Sequence, residues 1–269
     1  MGMGFMLRFL VILLVALAAS SVGFKKYVWF ISIGYGFAIA LLGVVLLVMF
    51  QAQLDAGTTL VCALLVIYGI RLGGYLTYRE LRTSSYGKRM KGEIKDGSDM
   101  TLGAKCGIWA GASILYACEV SPVLFRLSDG LGTNAAVVIG ALVMVVGLVV
   151  ESTADLQKQR AKRANPRQFV RTGLFGFVRC PNYLGELLFW TGVFVTGFGA
   201  LHGLVQWLVA LVGYLGIIFV MFSGARRLEI RQNKTYGSDP EYRRYVSTVP
   251  IMIPFVHLYS VEKYRWLVA

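Results

Sequence analysis

Long apolar runs, separated by short polar stretches, dominate the sequence. A helix needs about 20 mainly apolar residues to cross the hydrocarbon core of a bilayer, and each run approaches or exceeds that length. The pattern predicts an all-α integral membrane protein with about seven transmembrane helices. The predicted spans are residues 5–23, 27–50, 58–78, 104–125, 135–151, 183–200 and 203–223.

Basic residues concentrate in alternate loops of this predicted bundle. They follow the first, third, fifth and seventh spans, whereas the loops between carry almost no positive charge. Cytosolic loops of membrane proteins are enriched in Lys and Arg, so the N-terminus is predicted outside and the C-terminus in the cytosol. The basic loops contain Lys25 and Lys26; Arg82, Lys88, Arg89, Lys91 and Lys95; residues 158–179; and the tail from Arg226.

The first apolar run has a second interpretation. Arg8 precedes an apolar stretch that ends near Ala-Leu-Ala, which is the pattern of a secretory signal peptide. A spanning helix is favoured, because it completes the alternation of loop charge. At the other end, residues 225–269 are first charged and then apolar from Ile251. This tail is predicted to return to the membrane surface as an interfacial or capping segment.

Composition supports the membrane assignment, with 57% hydrophobic and 15% charged residues. The net charge of +13 would suggest a nucleic-acid partner in a soluble chain, but membrane topology explains it here. Membrane lipids are therefore predicted as partners, and nucleic acid is not. No internal repeat is evident, so residues 1–269 are interpreted as one domain. The cysteines lack disulfide or metal-ligand spacing and are interpreted as core residues, and no metal site is predicted: Cys62, Cys106, Cys118 and Cys180.

The segment of residues 173–186 differs from an ordinary span, because polar residues open an apolar helix. Pro181 suits the first turn of a helix, where its missing N–H is not needed. Asn182 and Glu186 then lie on one helical face, four residues apart, with Tyr183 beside them. The positive end of a helix dipole and its free N–H groups favour an anionic ligand at this position.

Basic residues surround this helix start in the sequence. Arg179 lies just before it, and Arg226 and Arg227 follow the last span on the same predicted side. The run from Lys158 to Arg171 is equally consistent with attraction to anionic lipids or with binding of a phosphate-rich cofactor. Walker-type, GxGxxG, HExxH and GxSxG motifs are absent from the sequence. Any nucleotide would therefore be held by helix ends and loops of a membrane bundle.

Ionisable residues inside spans are costly and mark candidate functional positions. In the third span, Tyr68 and Arg71 lie three residues apart on one face. Arg71 is interpreted either as snorkelling to the cytosolic interface or as facing a bound anion. Glu119, just before a helix-loosening proline, is expected at a solvated outer edge.

A further set of ionisable residues begins where the fifth span ends. Glu151, Asp155 and Lys158 share one helical face at positions i, i+4 and i+7. A solvated surface explains their pattern as well as a ligand site does.

The motifs together resemble the C-terminal domain of the steroid 5-alpha-reductase family, most closely its bacterial membrane branch of undefined substrate. The resemblance covers residues 140–255 well, and span three more loosely. Its motifs are Glu151-x-x-x-Asp155-x-Gln157-Lys158, Gly173-Leu-Phe, Arg179-x-Pro-Asn-Tyr-x-Gly-Glu186, Tyr242-x-x-Tyr245 and Ile253-Pro-Phe255.

The resemblance implies a seven-helix bacterial inner-membrane reductase that takes hydride from NADPH and adds it to an alkene conjugated to a carbonyl in a lipid-like substrate. It implies that Tyr68 polarises the substrate carbonyl. Residues 140–255 then form the cofactor-binding region. The cofactor-binding residues expected from the resemblance and the sequence pattern are Arg71, Asp155, Lys158, Arg179, Asn182, Tyr183, Glu186, Arg226 and Arg227.

One position departs from the family pattern. Steroid reductases pair the catalytic tyrosine with a glutamate on the second span, but residues 27–50 contain no carboxylate. Tyr35 and Gln51 are the candidates to replace it, and the alternative is a substrate other than a 3-keto steroid.

Two other classes of protein remain as alternatives. The first is an S-adenosylmethionine-dependent methyltransferase of the isoprenylcysteine carboxyl type, which shares an Arg-x-Pro-x-Tyr helix start. That motif usually has His before the proline, where this chain has Cys180. The second alternative is a non-enzymatic membrane protein, which would bind no nucleotide.

Overall fold

The computed structural model of the protein describes residues 3–82 and 100–268. Lys88, Arg89, Lys91 and Lys95 of the predicted cytosolic loop lie outside the described residues. Those described contain no strand and form nine α-helices, with 3-10 turns at Ser21–Phe24, Tyr27–Ile31 and Gly173–Gly176. The helices are α1 Met3–Ser20, α2 Ile33–Met49, α3 Ala56–Arg82, α4 Leu102–Glu119, α5 Ser121–Ser128, α6 Ala135–Ala164, α7 Pro181–Thr196, α8 Gly203–Tyr236 and α9 Pro240–Thr248.

Five segments of the described chain are long and apolar enough to cross a membrane, and they include all or most of α1, α2, α3, α6 and α8. Helices α4 and α5 together form a sixth candidate, bent by 50°. The protein is therefore a multi-pass integral membrane protein. The predicted span at 183–200 forms α7, which has 16 residues and is shorter than a typical spanning helix. Seven spans and the orientation of the termini stay predictions.

The bend between α4 and α5 lies directly before Pro122, because a proline cannot continue the backbone hydrogen bonding of the preceding turn. Gly213 of α8 packs against this break. A Cβ atom at Gly213 would lie 2.4 Å from the carbonyl carbon of Cys118, so only glycine permits this approach. Glu119 ends α4 and is only 3% exposed. The expectation of a solvated edge for Glu119 is therefore wrong.

The chain divides into two compact units. The first contains residues 1–141 and 193–214, and the second contains residues 142–192 and 215–269. In the first unit, α2 and α3 pack with their backbones in contact: a Cβ atom at Gly36 would lie 2.5 Å from the nitrogen of Gly73. Close approach through small residues is the usual way in which membrane helices associate.

The first unit also contains a buried arginine that is not among the predicted site residues. Arg126 of α5 is 2% exposed and donates three hydrogen bonds to carbonyl oxygens. Its Nε bonds Thr196 at 2.7 Å, Nη1 bonds Gly132 at 2.7 Å and Nη2 bonds Phe198 at 2.8 Å. Arg126 thus anchors the end of α7 to α5 within this unit.

Candidate functional site

The predicted site residues fall in both units. Tyr68 and Arg71 lie on α3 in the first unit, and the other predicted residues lie in the second.

The side chain of Tyr68 is fully buried, and its hydroxyl lies 3.0 Å from the hydroxyl of Tyr35 on α2. Of the two candidates to replace the family glutamate, Tyr35 therefore contacts Tyr68, whereas Gln51 is exposed. The ring of Tyr116 packs on Tyr35 at 5.0 Å, and its hydroxyl donates to the carbonyl of Phe30 at 2.7 Å. Packing on both sides of Tyr35 therefore fixes the hydroxyl pair. Arg71 is half-buried one turn from Tyr68.

In the second unit, α7 begins at Pro181, and this prediction is confirmed. The next turn crosses α6 with almost no separation. A Cβ atom at Gly185 would lie 2.5 Å from the backbone nitrogen of Glu151, and one at Gly147 would lie 2.4 Å from the nitrogen of Phe189. The glycine of the Asn-Tyr-x-Gly-Glu motif is therefore the contact point of two helices.

Two carboxylates lie at this crossing. Glu151 and Glu186 are 3% and 6% exposed, so a purely solvated face is wrong for Glu151. Asp155 and Lys158, further along α6, are half-buried. The buried acids thus belong to the same helix pair as the half-buried Asp155 and Lys158.

The first turn of α7 also carries polar atoms directed into protein. Asn182 is half-buried, and its Oδ1 is buried without a hydrogen-bond partner among the described residues. Tyr183 reaches α8, where a Cβ atom at Gly224 would lie 3.3 Å from its hydroxyl. The neighbouring Ser223 has a buried hydroxyl that is likewise unpartnered in the described part of the chain. A ligand with donor and acceptor groups would satisfy such atoms.

Arg179 is 3% exposed and forms a buried ion pair with Glu229 of α8, with Nη2 and Oε1 2.9 Å apart. The same Nη2 donates to the carbonyl oxygen of Tyr259. The other oxygen of Glu229 accepts from the backbone N–H of Val261 at 2.8 Å. Arg179 Nε and Nη1 are buried and have no partner within residues 3–82 and 100–268.

The C-terminal segment packs onto the residues before α7. Backbone N–H groups of Arg179 and Cys180 donate to the carbonyls of Pro250 and Ile251, both at 2.9 Å. Ile251 is buried as well. The tail therefore caps the residues before α7, whereas its position at the membrane surface stays a prediction. Burial raises the pKa of the Cys180 thiol to about 12, which keeps it protonated and unreactive near neutral pH.

The two predicted arginines at the end of the last span have different environments. Arg226 donates from Nε to the carbonyl of Glu262 at 3.0 Å and from Nη1 to that of Leu267 at 3.4 Å. Arg226 therefore fastens the tail. Arg227 is exposed, as is Arg231 one turn later, so both add positive charge to the surface of the second unit.

The loop before Arg179 is held by other residues of the quoted motifs. Gly173 has a φ of +64°, and a Cβ atom there would lie 2.5 Å from Oε1 of Gln157, so glycine is required. The same Gln157 oxygen accepts from the N–H of Leu174 at 2.9 Å. Tyr245 donates its hydroxyl to the carbonyl of Phe175 at 2.7 Å. These residues shape the loop that leads into α7.

Comparison with known families matches residues 20–249 to the family described as "Protein of unknown function (DUF1295)". The chain belongs to this family. It is also similar to Steroid 5-alpha-reductase DET2 of Arabidopsis thaliana, with 28% identity over 123 residues. That segment covers 45% of this chain and 42% of the plant protein, so the chain spans less than half of that relative. No solved structure matches.

The matches support the coarser form of the sequence prediction, a steroid 5-alpha-reductase-like membrane protein. Its bacterial branch stays a prediction. Glu229, which holds the motif arginine of this DUF1295 chain, is not among the residues predicted from the sequence. A signal for it does exist, because Glu229 is the single carboxylate between Arg226 and Lys234 in a strongly basic stretch.

Proposed function

We propose that the protein is a membrane-embedded reductase that uses NADPH to reduce a carbon-carbon double bond conjugated to a carbonyl. The substrate is a steroid-like or other lipid, and the membrane is the bacterial inner membrane. Similarity to a steroid 5-alpha-reductase supports the reaction class. The observation that supports cofactor binding is a set of buried atoms near the start of α7 without hydrogen-bond partners among the described residues. They are Oδ1 of Asn182 and Nε and Nη1 of Arg179.

These atoms suit NADPH chemically. The cofactor offers amide and hydroxyl donors for the Asn182 oxygen and phosphate acceptors for the guanidinium of Arg179. The dipole of α7 adds positive potential at the same end of the helix. When bound, NADPH supplies the hydride. In the second unit, the residues proposed to hold it are Asp155, Lys158, Arg179, Asn182, Tyr183, Glu186, Arg226 and Arg227. Arg71, in the first unit, is proposed separately to face a bound anion.

Tyr68 is proposed to act on the substrate carbonyl. Its hydroxyl donates a hydrogen bond to the carbonyl oxygen and stabilises the negative charge that develops there as the enolate forms. The Tyr35 hydroxyl, 3.0 Å away, positions that of Tyr68. When Tyr35 is the donor of this pair, it also polarises the Tyr68 O–H and makes it a stronger donor.

The cofactor is tested first by thermal unfolding of the detergent-solubilised protein with NADPH, NADH or S-adenosylmethionine. A ligand that binds only the native state raises the apparent Tm. NADPH is expected to raise it, and Asn182→Ala and Glu186→Ala are expected to abolish that shift. Glu241→Gln is the control, because Glu241 is an exposed carboxylate on α9. A shift with S-adenosylmethionine alone would instead support methyl transfer, and no shift with any ligand would support a non-enzymatic protein.

The role of Tyr68 is tested by removing its hydroxyl. Tyr68→Phe is expected to retain the NADPH-induced shift and to lose turnover of an enone lipid by about 100-fold or more, the scale of one proton-donating group. Tyr35→Phe is expected to have a smaller effect, because it removes a positioning contact only. Full activity of Tyr68→Phe would remove Tyr68 from the mechanism.

A further inference from the structure

We propose that Glu229 is a positioning residue for the anion-binding side chain Arg179. This inference rests on the proposed function, and it assigns Glu229 to the binding of the phosphate groups of the dinucleotide. By holding Nη2 of Arg179, Glu229 leaves Nε and Nη1 to contact the anion.

The contacts of the Arg179 guanidinium support these separate roles for its nitrogens, with Nη2 held by protein and Nε and Nη1 left for the anion. Nη2 makes both of the protein contacts of the Arg179 side chain that the structure shows, one to Glu229 and one to the carbonyl of Tyr259. Nε and Nη1 are buried with no partner among the residues described. Buried donors in folded proteins are nearly always paired, so two unpartnered nitrogens on one buried cation indicate a ligand that carries acceptor oxygens.

The backbone of the loop does not supply the anion contact. The N–H groups of Arg179 and Cys180 are occupied by the carbonyls of Pro250 and Ile251. In this loop, the side chain of Arg179 is therefore the group left to contact the anion, so its orientation affects the affinity. Glu229 fixes that orientation and is itself fixed, because its second oxygen accepts from Val261 N–H at 2.8 Å.

An effect of charge alone and a positioning effect predict opposite changes in the affinity for an anionic cofactor, so one variant can distinguish them. If Glu229 only offsets the charge of Arg179, its neutralisation should strengthen the binding of an anionic cofactor. If Glu229 positions Arg179, the same change should weaken binding. The two predictions differ in sign for one variant, Glu229→Gln.

The experiment measures the NADPH Kd of detergent-solubilised wild type, Glu229→Gln, Arg179→Lys and the double variant. Glu241→Gln is the matched control, because it removes an exposed ion pair with Arg171, whose atoms are 3.0 Å apart in the same unit. Glu229→Gln is expected to raise the Kd by about 10-fold, on the scale of a lost charged hydrogen bond. The control should stay within about twofold of wild type, as exposed ion pairs contribute little.

Two further readouts separate positioning from general support of the fold. Glu229→Gln should raise KM for NADPH and leave kcat at saturating NADPH within about twofold, because it weakens binding uniformly. The double variant should bind NADPH no more weakly than Arg179→Lys, since residues that act through one another are non-additive. An unchanged or lower Kd in Glu229→Gln, or additive losses in the double variant, overturns the inference.

Other outcomes separate this inference from the proposed function. If wild type does not bind NADPH, the reductase proposal fails, and the same variants are compared for stabilisation by inorganic pyrophosphate. If pyrophosphate stabilises wild type but not Glu229→Gln, the positioning role is upheld. If pyrophosphate does not stabilise wild type, the positioning role is overturned. If Glu229→Gln does not fold, Glu229→Asp replaces it, and a wild-type affinity for the anion in that variant overturns the inference.

Discussion

Substitution of Gly185 by alanine tests whether contact between the backbones of α6 and α7 builds the candidate site. The added methyl carbon would lie 2.5 Å from the nitrogen, 2.7 Å from Cβ and 2.8 Å from Cα of Glu151. Carbon atoms in contact prefer separations of about 3.5–4.0 Å, so the helices must separate by roughly 1 Å. The neighbouring atoms are two backbone atoms of a helix and the Cβ atom fixed to them, so a side-chain rotation cannot absorb this change.

The expected cost follows from two opposing effects. Overpacking destabilises by about 1–3 kcal/mol. Alanine in place of glycine inside a helix stabilises by about 0.5–1 kcal/mol, because the unfolded chain has lower conformational entropy with alanine. The net loss is therefore on the order of 1–2 kcal/mol, which lowers the Tm by roughly 2–8 °C at about 2–4 °C per kcal/mol for a chain of this size.

Thermal unfolding in detergent measures this loss, and Gly107→Ala of α4 is the control. A Cβ atom at Gly107 has no neighbour within 4 Å, so only the favourable entropy remains and the Tm should rise slightly. Gly185→Ala should also reduce the stabilisation by NADPH, because Asn182 and Glu186 move with α7. If Gly185→Ala unfolds at or above the temperature of wild type, the helix crossing is not a tight contact, and the reasoning is refuted.

Three other contacts give predictions in the same assay. Several hydrogen bonds, the one from the Thr133 side chain first among them, hold the pKa of Asp55 well below its usual value, so the stability that this carboxylate contributes is present above a pH of about 4 and declines as the pH falls further. Asp55→Asn should remove this part of the acid dependence of the Tm between about pH 5 and 2, and an unchanged pH profile contradicts the prediction. Tyr245→Phe leaves the Phe175 carbonyl without its donor and should cost about 1 kcal/mol, whereas an equal Tm shows that water replaces the hydroxyl. Arg126→Met leaves three carbonyls without donors and should cost about 3 kcal/mol or more, and a Tm within about 2 °C of wild type excludes an anchoring role.

Hydrophobic pattern and proline chemistry predict the local features of this fold. The apolar runs become helices because a backbone in lipid must satisfy its own hydrogen bonds. Pro181 marks the start of α7, and Pro122 marks the break after α4, since each proline restricts the turn that precedes it. The capping tail is also predicted, from the apolar run that follows the charged part of the C-terminal region.

Pairings between distant residues are not predictable from these patterns. Glu229 lies 50 residues from Arg179, and its place as the single carboxylate of a basic stretch does not indicate which arginine it pairs with. Tyr35 and Gln51 are equivalent candidates in the sequence, and only the packing of α2 against α3 brings Tyr35 to Tyr68. Gly185 is part of a sequence motif, but glycine is needed there because the backbone of the facing helix α6 leaves no room for a side chain.

The carbonyls that bind Arg126 set an order of events during synthesis. Two of its three partners, Thr196 and Phe198, are added to the chain 70 and 72 residues after it. Until they arrive, its guanidinium has to keep water or lipid headgroups as partners, because a buried cation without acceptors is costly. The turn of α5 that contains Arg126 therefore completes its burial only after the end of α7 has been made.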